Sequence, residues 1–265
     1  MINIEILNKI TIKAGKIAMT YYNQNYDIKT KDDNSPVTAA DFAVNDYIIS
    51  SLRQIYPDIA IISEENSYES NLKATKERQI FIIDPIDGTR AFINKKSQFT
   101  INIGYVQDGK FVLGFIYAPI LDILYYSDHN KSYKLQNNKL QILQNKDNDF
   151  KNGIIQTSSM GRTENIKIAE EFKNLQIKKI IQSSSSYKFC LIAEAVADFY
   201  PRRGNMRIWD VAAAFGILKF LDYQFLDLSR NKITFDRMID DFLIPDFNLF
   251  RSQEILNHFD NILIS

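Results

Sequence analysis

One cysteine in 265 residues excludes an internal disulfide and a Cys-based zinc site, and fits a reducing compartment. The two histidines, His129 and His258, have no metal-ligand neighbours at useful spacing and read as exposed polar residues. No excess of either charge exists: 32 Lys plus Arg balance 32 Asp plus Glu. That argues against a binder of nucleic-acid polymers or anionic membranes, which carries a basic excess. No apolar run approaches the roughly 20 residues of a membrane span. The start, Met1-Ile2-Asn3-Ile4-Glu5, lacks the basic stretch and apolar core of a signal peptide. Repeats and low-complexity segments are absent as well. The expectation is a soluble cytoplasmic chain without a transmembrane segment. What remains is 45% hydrophobic, 12% aromatic and 24% charged, ordinary globular values with room for one large domain or two small ones.

Periodicity supplies the elements. Ile4, Leu7, Ile10, Ala14, Ile17 and Tyr21 step by three and four, one face of a helix. After a polar break over 29–36, a second helix starts at Thr38, with Asp41 completing a capping box in which Glu or Gln is usual. The runs 59–62 and 80–83 suit buried strands. Phe99, Ile101, Ile103 and Tyr105 alternate with polar or small residues, and Asp108-Gly109 joins them to the run 111–116, a strong hairpin signal. Segments 121–126 and 132–135 extend the antiparallel sheet. From about residue 150 strands alternate with helices: strand 153–156, helix 164–173, strand 177–182, helices 187–197 and 210–220, strand 224–228. The spacing predicts an α+β unit over 1–148, carrying most of the candidate ligands, and an α/β unit over 149–265.

Four carboxylates stand in unusual places. Glu64 follows the strand 59–62, Asp84 and Asp87 follow the strand 80–83, and Asp210 opens a helix after Trp209. Taken singly, Asp210 reads as a helix cap and Glu64 as part of a solvated acidic loop. Trp209 reads as a packing staple or a base-stacking ring. Brought together, however, the acids could not all stay ionised without a cation. Oxygen-only ligands point to Mg2+ or Mn2+ rather than zinc. Pro85 stiffens the turn and lets the Ile86 carbonyl face inward as a neutral ligand. Gly88 permits close approach, and Thr89 begins a short helical turn whose amides could hold a phosphate.

The string Phe81-Ile82-Ile83-Asp84-Pro85-Ile86-Asp87-Gly88-Thr89 resembles the signature of the inositol monophosphatase superfamily of Mg2+-dependent phosphatases. Trp209-Asp210-Val211-Ala212-Ala213 resembles its second signature. Asn34-Ser35-Pro36-Val37-Thr38-Ala39-Ala40-Asp41 and Ile62-Ser63-Glu64-Glu65 are similar to two further blocks, in the family's order. Within the superfamily the likeness is to the 3'(2'),5'-bisphosphate nucleotidases of the CysQ group. It rests on Ser184-Ser185-Ser186-Tyr187-Lys188-Phe189-Cys190-Leu191, Tyr200-Pro201-Arg202 and Gln98-Phe99-Thr100-Ile101-Asn102-Ile103. Arg203 stands where inositol phosphatases carry an acid, and a cation there fits a second phosphate. Departures are Ala91 for glutamate, Ser184 for glycine, and Thr157-Ser158-Ser159-Met160-Gly161, a loose match to Ser-Arg-Ser-His.

The resemblance implies a layered α-β-α-β-α sandwich. It implies two or three Mg2+ ions, or Mn2+ in their place, held by Glu64, Asp84, the Ile86 carbonyl, Asp87 and Asp210. The catalytic residues would be Asp41, Glu64 and Thr89: the Thr89 hydroxyl orients an attacking water and Asp41 or Glu64 accepts its proton. Substrate would meet Gly88, Thr89, Ser185, Ser186, Lys188, Arg202 and Asp210, with Lys188 and Arg202 on the phosphate that is not cleaved. A polar turn before a helix is the equal alternative for the serine run, and a solvated surface position is the plain one for the two cations. The implied substrate is a small phosphate ester, an adenosine bisphosphate cleaved at its 3'-phosphate; an inositol or other sugar monophosphate is the alternative. Monomer and homodimer both stay open, as does peripheral contact with the cytoplasmic face of a membrane. Cys190, among Phe189, Leu191 and Ile192, reads as a buried inert thiol.

Overall fold

The fold was taken from a computed structural model, which describes residues 2–24, 28–30, 36–144, 154–158, 179–204 and 206–264. The first helix, α1 (Ile4–Tyr22), is capped by Asn3, whose side chain accepts from the Ile6 amide at 3.1 Å. A short antiparallel pair, β1 (Ile28–Thr30) and β2 (Pro36–Thr38), leads into α2 (Ala39–Ile55). The capping box expected there forms: Asp41 Oδ2 accepts from the Thr38 amide at 2.8 Å, and Thr38 Oγ1 accepts from the Ala40 amide.

Next come β3 (Ala60–Ser63), α3 (Tyr68–Ala74), β4 (Gln79–Asp87), α4 (Thr89–Ile93), β5 (Thr100–Gln107), β6 (Lys110–Ala118), β7 (Ile123–Ser127), β8 (Ser132–Gln136) and β9 (Lys139–Ile142). The seven strands from β3 to β9 lie in chain order, parallel only between β3 and β4. Asp108 and Gly109 close the β5–β6 turn with φ of 50° and 70°, the left-handed pair that matches strand twist. Asn137 and Asn138 do the same between β8 and β9, a hairpin signal the sequence reading passed over.

The second half holds β10 (Ile154–Ser158), β11 (Lys179–Ser183), α5 (Tyr187–Ala193), β12 (Phe199–Arg202), β13 (Met206–Arg207), α6 (Ile208–Leu218), β14 (Gln224–Asp227), β15 (Leu243–Ile244), β16 (Phe247–Phe250) and α7 (Gln253–Ile264). Its five-stranded sheet runs β11-β10-β12-β16-β14. Strand β10 is parallel to both neighbours, but β16 is antiparallel to β12 and β14, so the sheet is mixed. Strand–helix alternation suggests an α/β layer, and both elements are present; after α6 no α-helix separates β14, β15 and β16, and the chain reverses direction there. The helix expected over 187–197 stops earlier, at Ala193, and Ala195 takes a positive φ of 55°. The expected helix 164–173 lies outside the described residues.

Alternation along the strands sorts two cores. Phe81, Ile83, Ile101, Ile103, Leu113 and Phe115 face α1 and α2. Ile80, Ile82, Val106 and Ile116 face α6, whose other side meets Phe225, Phe247 and Leu249 of the second sheet. On the far face of that sheet, Phe259 of α7 packs on Phe199 and Phe250, with ring centroids 4.4 and 5.1 Å apart. The result is an α-β-α-β-α sandwich. Where α6 crosses Gly104 and Gly114 its backbone lies directly against that of the first sheet. A Cβ on Gly104 would come within 2.8 Å of the Ala212 Cβ, and one on Gly114 would overlap the Ala213 carbonyl. Close approach of backbones is what glycine permits.

Candidate metal centre

Strand β4 pairs Asp84 with Asn102 of β5, then shifts register so that Asp87 faces Thr100. Three steps on β4 thus match two on β5, a one-residue bulge at Pro85 and Ile86. Residues three apart in a regular strand point to opposite faces; the bulge brings both aspartates to the same one. Proline suits the bulge because it has no amide to donate. Asp210 arrives from the first turn of α6, seated at the end of β4 by the glycine contacts above. Its carboxylate accepts the Arg207 amide at 2.7 Å, so the helix-cap reading holds.

Asp84, Asp87 and Asp210 each offer a carboxylate oxygen, and these oxygens lie within 4.8 Å of one another. Asp210 is pushed up to about 8, first by burial and then by the charges of Asp87 and Glu64; the Arg207 amide and Lys188 pull the other way. An all-oxygen set of acids that repel one another, Asp84 buried and Asp87 and Asp210 half-buried, fits a hard divalent cation, which would remove the repulsion.

Glu64 continues from β3, its amide donating to the Ile83 carbonyl at 3.2 Å; it stands outside the 4.8 Å group, though its charge reaches Asp210. The Ile86 side chain is buried, and its carbonyl and Asp41 Oδ1 flank the Thr89 hydroxyl at 3.2 and 3.5 Å. Gly88 takes a left-handed φ of 86° and lies against Ser185, whose own φ is 52°. The Ser186 amide and hydroxyl both lie 2.5 Å from Asp87 Oδ2, and the hydroxyl is 2.7 Å from the Asp210 carbonyl. Lys188, which residue type alone would leave in solvent, is only 6% exposed, with its Nζ 5.8 Å from the centre of the Tyr200 ring. Arg202 ends β12, half-buried, opposite Phe247.

Three other residues gain a defined surrounding. Arg203 donates to the Arg202 and Phe247 carbonyls at 3.0 and 2.9 Å and to Asn248 Oδ1 at 3.1 Å, strapping β12 to β16. Position in the sequence, which suggests a cation for a second phosphate, does not reveal that structural task. Trp209 packs on Phe242, centroids 5.8 Å apart, the staple reading. Cys190 is buried, and burial pushes its thiol well up, as expected of an inert cysteine. Asn102, given no role from sequence, donates to Asp87 and Ser186. Its signal was visible as a large polar residue within an otherwise apolar inward-facing strand.

The family model described as the inositol monophosphatase family matches residues 3–253. The chain belongs to that family. Among family relatives, the 3'(2'),5'-bisphosphate nucleotidase CysQ of Shigella flexneri is 34% identical over 206 residues, 77% of this chain and 82% of that protein. CysQ of Aggregatibacter actinomycetemcomitans is 32% identical over 248 residues, 93% of this chain and 91% of its own. The crystal structure of CysQ from Bacteroides thetaiotaomicron, a bacterial family member, superposes with a TM-score of 0.78 at 26% identity, covering 93% of this chain and 96% of that one. Among the described residues, no helix is long and apolar enough to cross a membrane.

Proposed function

We propose that this family member is a 3'(2'),5'-bisphosphate nucleotidase that removes the 3'-phosphate of 3'-phosphoadenosine 5'-phosphate, with Mg2+ as its working ion and Mn2+ as a substitute. The observation that carries the reading is the convergence of Asp84, Asp87 and Asp210 within 4.8 Å, in a chain 34% identical to a CysQ nucleotidase over most of its length. Those three carboxylates, with Glu64 and the Ile86 carbonyl, would hold two or three ions. Bound divalent ions supply charge neutralisation on the phosphate and a water of lowered pKa.

The chain's own groups do the rest. Thr89 Oγ1, lying between the Ile86 carbonyl and Asp41, orients the attacking water, and Asp41 takes the proton, with Glu64 as the other acceptor. A bond forms from the water oxygen to phosphorus while the bond to the 3'-oxygen breaks, and the leaving oxygen takes a proton from solvent to end as a hydroxyl. Gly88 lets the phosphate approach the backbone, Ser185 lines the approach, and Lys188 and Arg202 hold the 5'-phosphate that stays. A cytoplasmic setting goes with this reading.

A phosphate-release panel of adenosine bisphosphates, inositol monophosphates and fructose bisphosphate, with and without Mg2+, tests it. The expected outcome is metal-dependent release from the adenosine bisphosphate above all others. Faster release from an inositol phosphate would replace the substrate assignment, and no release from any ester with magnesium present would remove the activity altogether. Lys188→Ala and Arg202→Ala are each expected to raise KM for the bisphosphate by about tenfold or more, the scale of one charge-assisted contact. An unchanged KM in both would put the second phosphate elsewhere.

A further inference from the structure

Asn102 is fully buried on β5, opposite Asp84. Its strand neighbours Ile101 and Ile103 point into the core under α1 and α2. Its amide points the other way, donating to Asp87 Oδ2 at 3.2 Å and to Ser186 Oγ at 2.8 Å. Ser186 closes the ring, with its backbone amide and its hydroxyl both 2.5 Å from that same carboxylate oxygen. The hydroxyl has a single proton to share between Asp87 and the Asp210 carbonyl 2.7 Å away, while the backbone amide holds Asp87 throughout. One oxygen of Asp87 is therefore engaged from both halves of the chain, from β5 of the first sheet and from the entry to α5.

This arrangement is costly. The Asn102 side-chain oxygen, Oδ1, is buried without a hydrogen-bond partner, and so is the Thr100 hydroxyl two residues away on the same strand. A buried amide with half of its capacity unmet lowers stability, and leucine would fill the same space without that cost. Violations of this kind collect where a site needs positioning. The need is plain: carboxylates within 4.8 Å repel, and unrestrained they would swing apart before an ion arrived.

We infer that Asn102 and Ser186 form a clamp that sets the Asp87 carboxylate, and the first turn of α6 through the Asp210 carbonyl, in ligating position ahead of the metal. Both are positioning residues, and Ser186 acts on the ligands rather than on substrate. The inference rests on the metal reading of the three aspartates. Partners of this kind typically govern metal affinity by about 10–100-fold.

The test is calorimetric titration of Mn2+ into metal-free full-length protein with no substrate present. Asn102→Leu and Ser186→Ala are expected to bind Mn2+ roughly 10–100-fold more weakly than the wild type, whereas Ser186→Thr, which keeps both donors, stays within about threefold. Metal-free Asn102→Leu should melt at or above the wild-type temperature, which separates lost positioning from lost folding. In turnover at fixed Mn2+, kcat falls in both weak binders while KM for the phosphate ester holds. Wild-type Mn2+ affinity in Asn102→Leu and Ser186→Ala would overturn the clamp, and a raised KM with that affinity intact would make Ser186 a substrate contact instead. If the wild type itself bound no Mn2+, the metal reading would fail and the clamp with it.

Discussion

Asp210 caps its helix and lies against Asp84 and Asp87 at once, and the two surroundings pull its proton in opposite directions. The Arg207 amide and the start of α6 favour the carboxylate; burial and the charges of Asp87 and Glu64 disfavour it and win, raising it from 3.8 to about 8. In the metal-free protein, folded Asp210 keeps its proton across a window in which the unfolded chain has already lost it. The folded state then binds more protons, so this group's contribution to stability is present below the unfolded value and is lost as pH rises through the folded one. Melting temperature of the metal-free protein should fall between pH 4 and 8 as Asp210 is forced to ionise. Mn2+ binding below that upper value should release a proton, seen as a calorimetric enthalpy that changes with the buffer's ionisation heat; a buffer-independent enthalpy would contradict the assignment. Asp87→Asn keeps the shape and the Ser186 contacts but removes a charge. It should fold normally and lose about a thousandfold or more in kcat, the scale of one preorganised electrostatic contact. Near wild-type phosphate release would remove Asp87 from the ligand set.

At the scale of elements, the centre is built from a bulge and a glycine seam. The Asp-Pro-Ile-Asp order of 84–87 could be read in the sequence, but the register shift that turns both acids to one face depends on β5 lying alongside. The close seat of α6 depends on glycines of two different strands, Gly104 and Gly114, meeting Ala212 and Ala213 on that helix. Gly114→Ala puts a methyl onto the Ala213 carbonyl and must push α6 off the sheet. A loss of about 1–3 kcal/mol is expected, read by urea denaturation. Mn2+ affinity should fall in parallel, since Asp210 moves with its helix. Unchanged stability would mean that α6 is not held by this contact. Local chemistry, by contrast, was legible directly: the Thr38–Asp41 cap and the Asp108-Gly109 turn need only neighbours in sequence, and both form as read.

For the molecule as a whole, the second half encloses the site by packing on the first. Within it, Arg251 and Asp198 make an ion pair at 2.8 Å with both side chains at most 5% exposed, tying the entry of β12 to the exit of β16. Removing one partner strands a buried charge, so Arg251→Met should cost about 3–5 kcal/mol, while Asp198→Leu with Arg251→Met should recover most of it. Denaturation of the two variants checks this; equal losses would show that the pair's charge is not what matters.

The residue types by themselves determined the chemistry available: acids at strand ends and a helix start with no thiol or imidazole next to them in sequence, suited to a hard cation, and the order of caps, turns and alternating strands that makes sheets with helices. Those properties are local or compositional, and a chain carries them before it folds. Tertiary structure alone decided which oxygens meet. It gathered Asp84 and Asp87 with Asp210 from far along the chain, left Glu64 at the edge of the group, buried Lys188, turned Arg203 into a strap and gave Asn102 a place between Asp87 and Ser186. Such juxtapositions come from sheet register and from how closely one helix can lie on a strand, and no pattern of neighbours in sequence encodes either one.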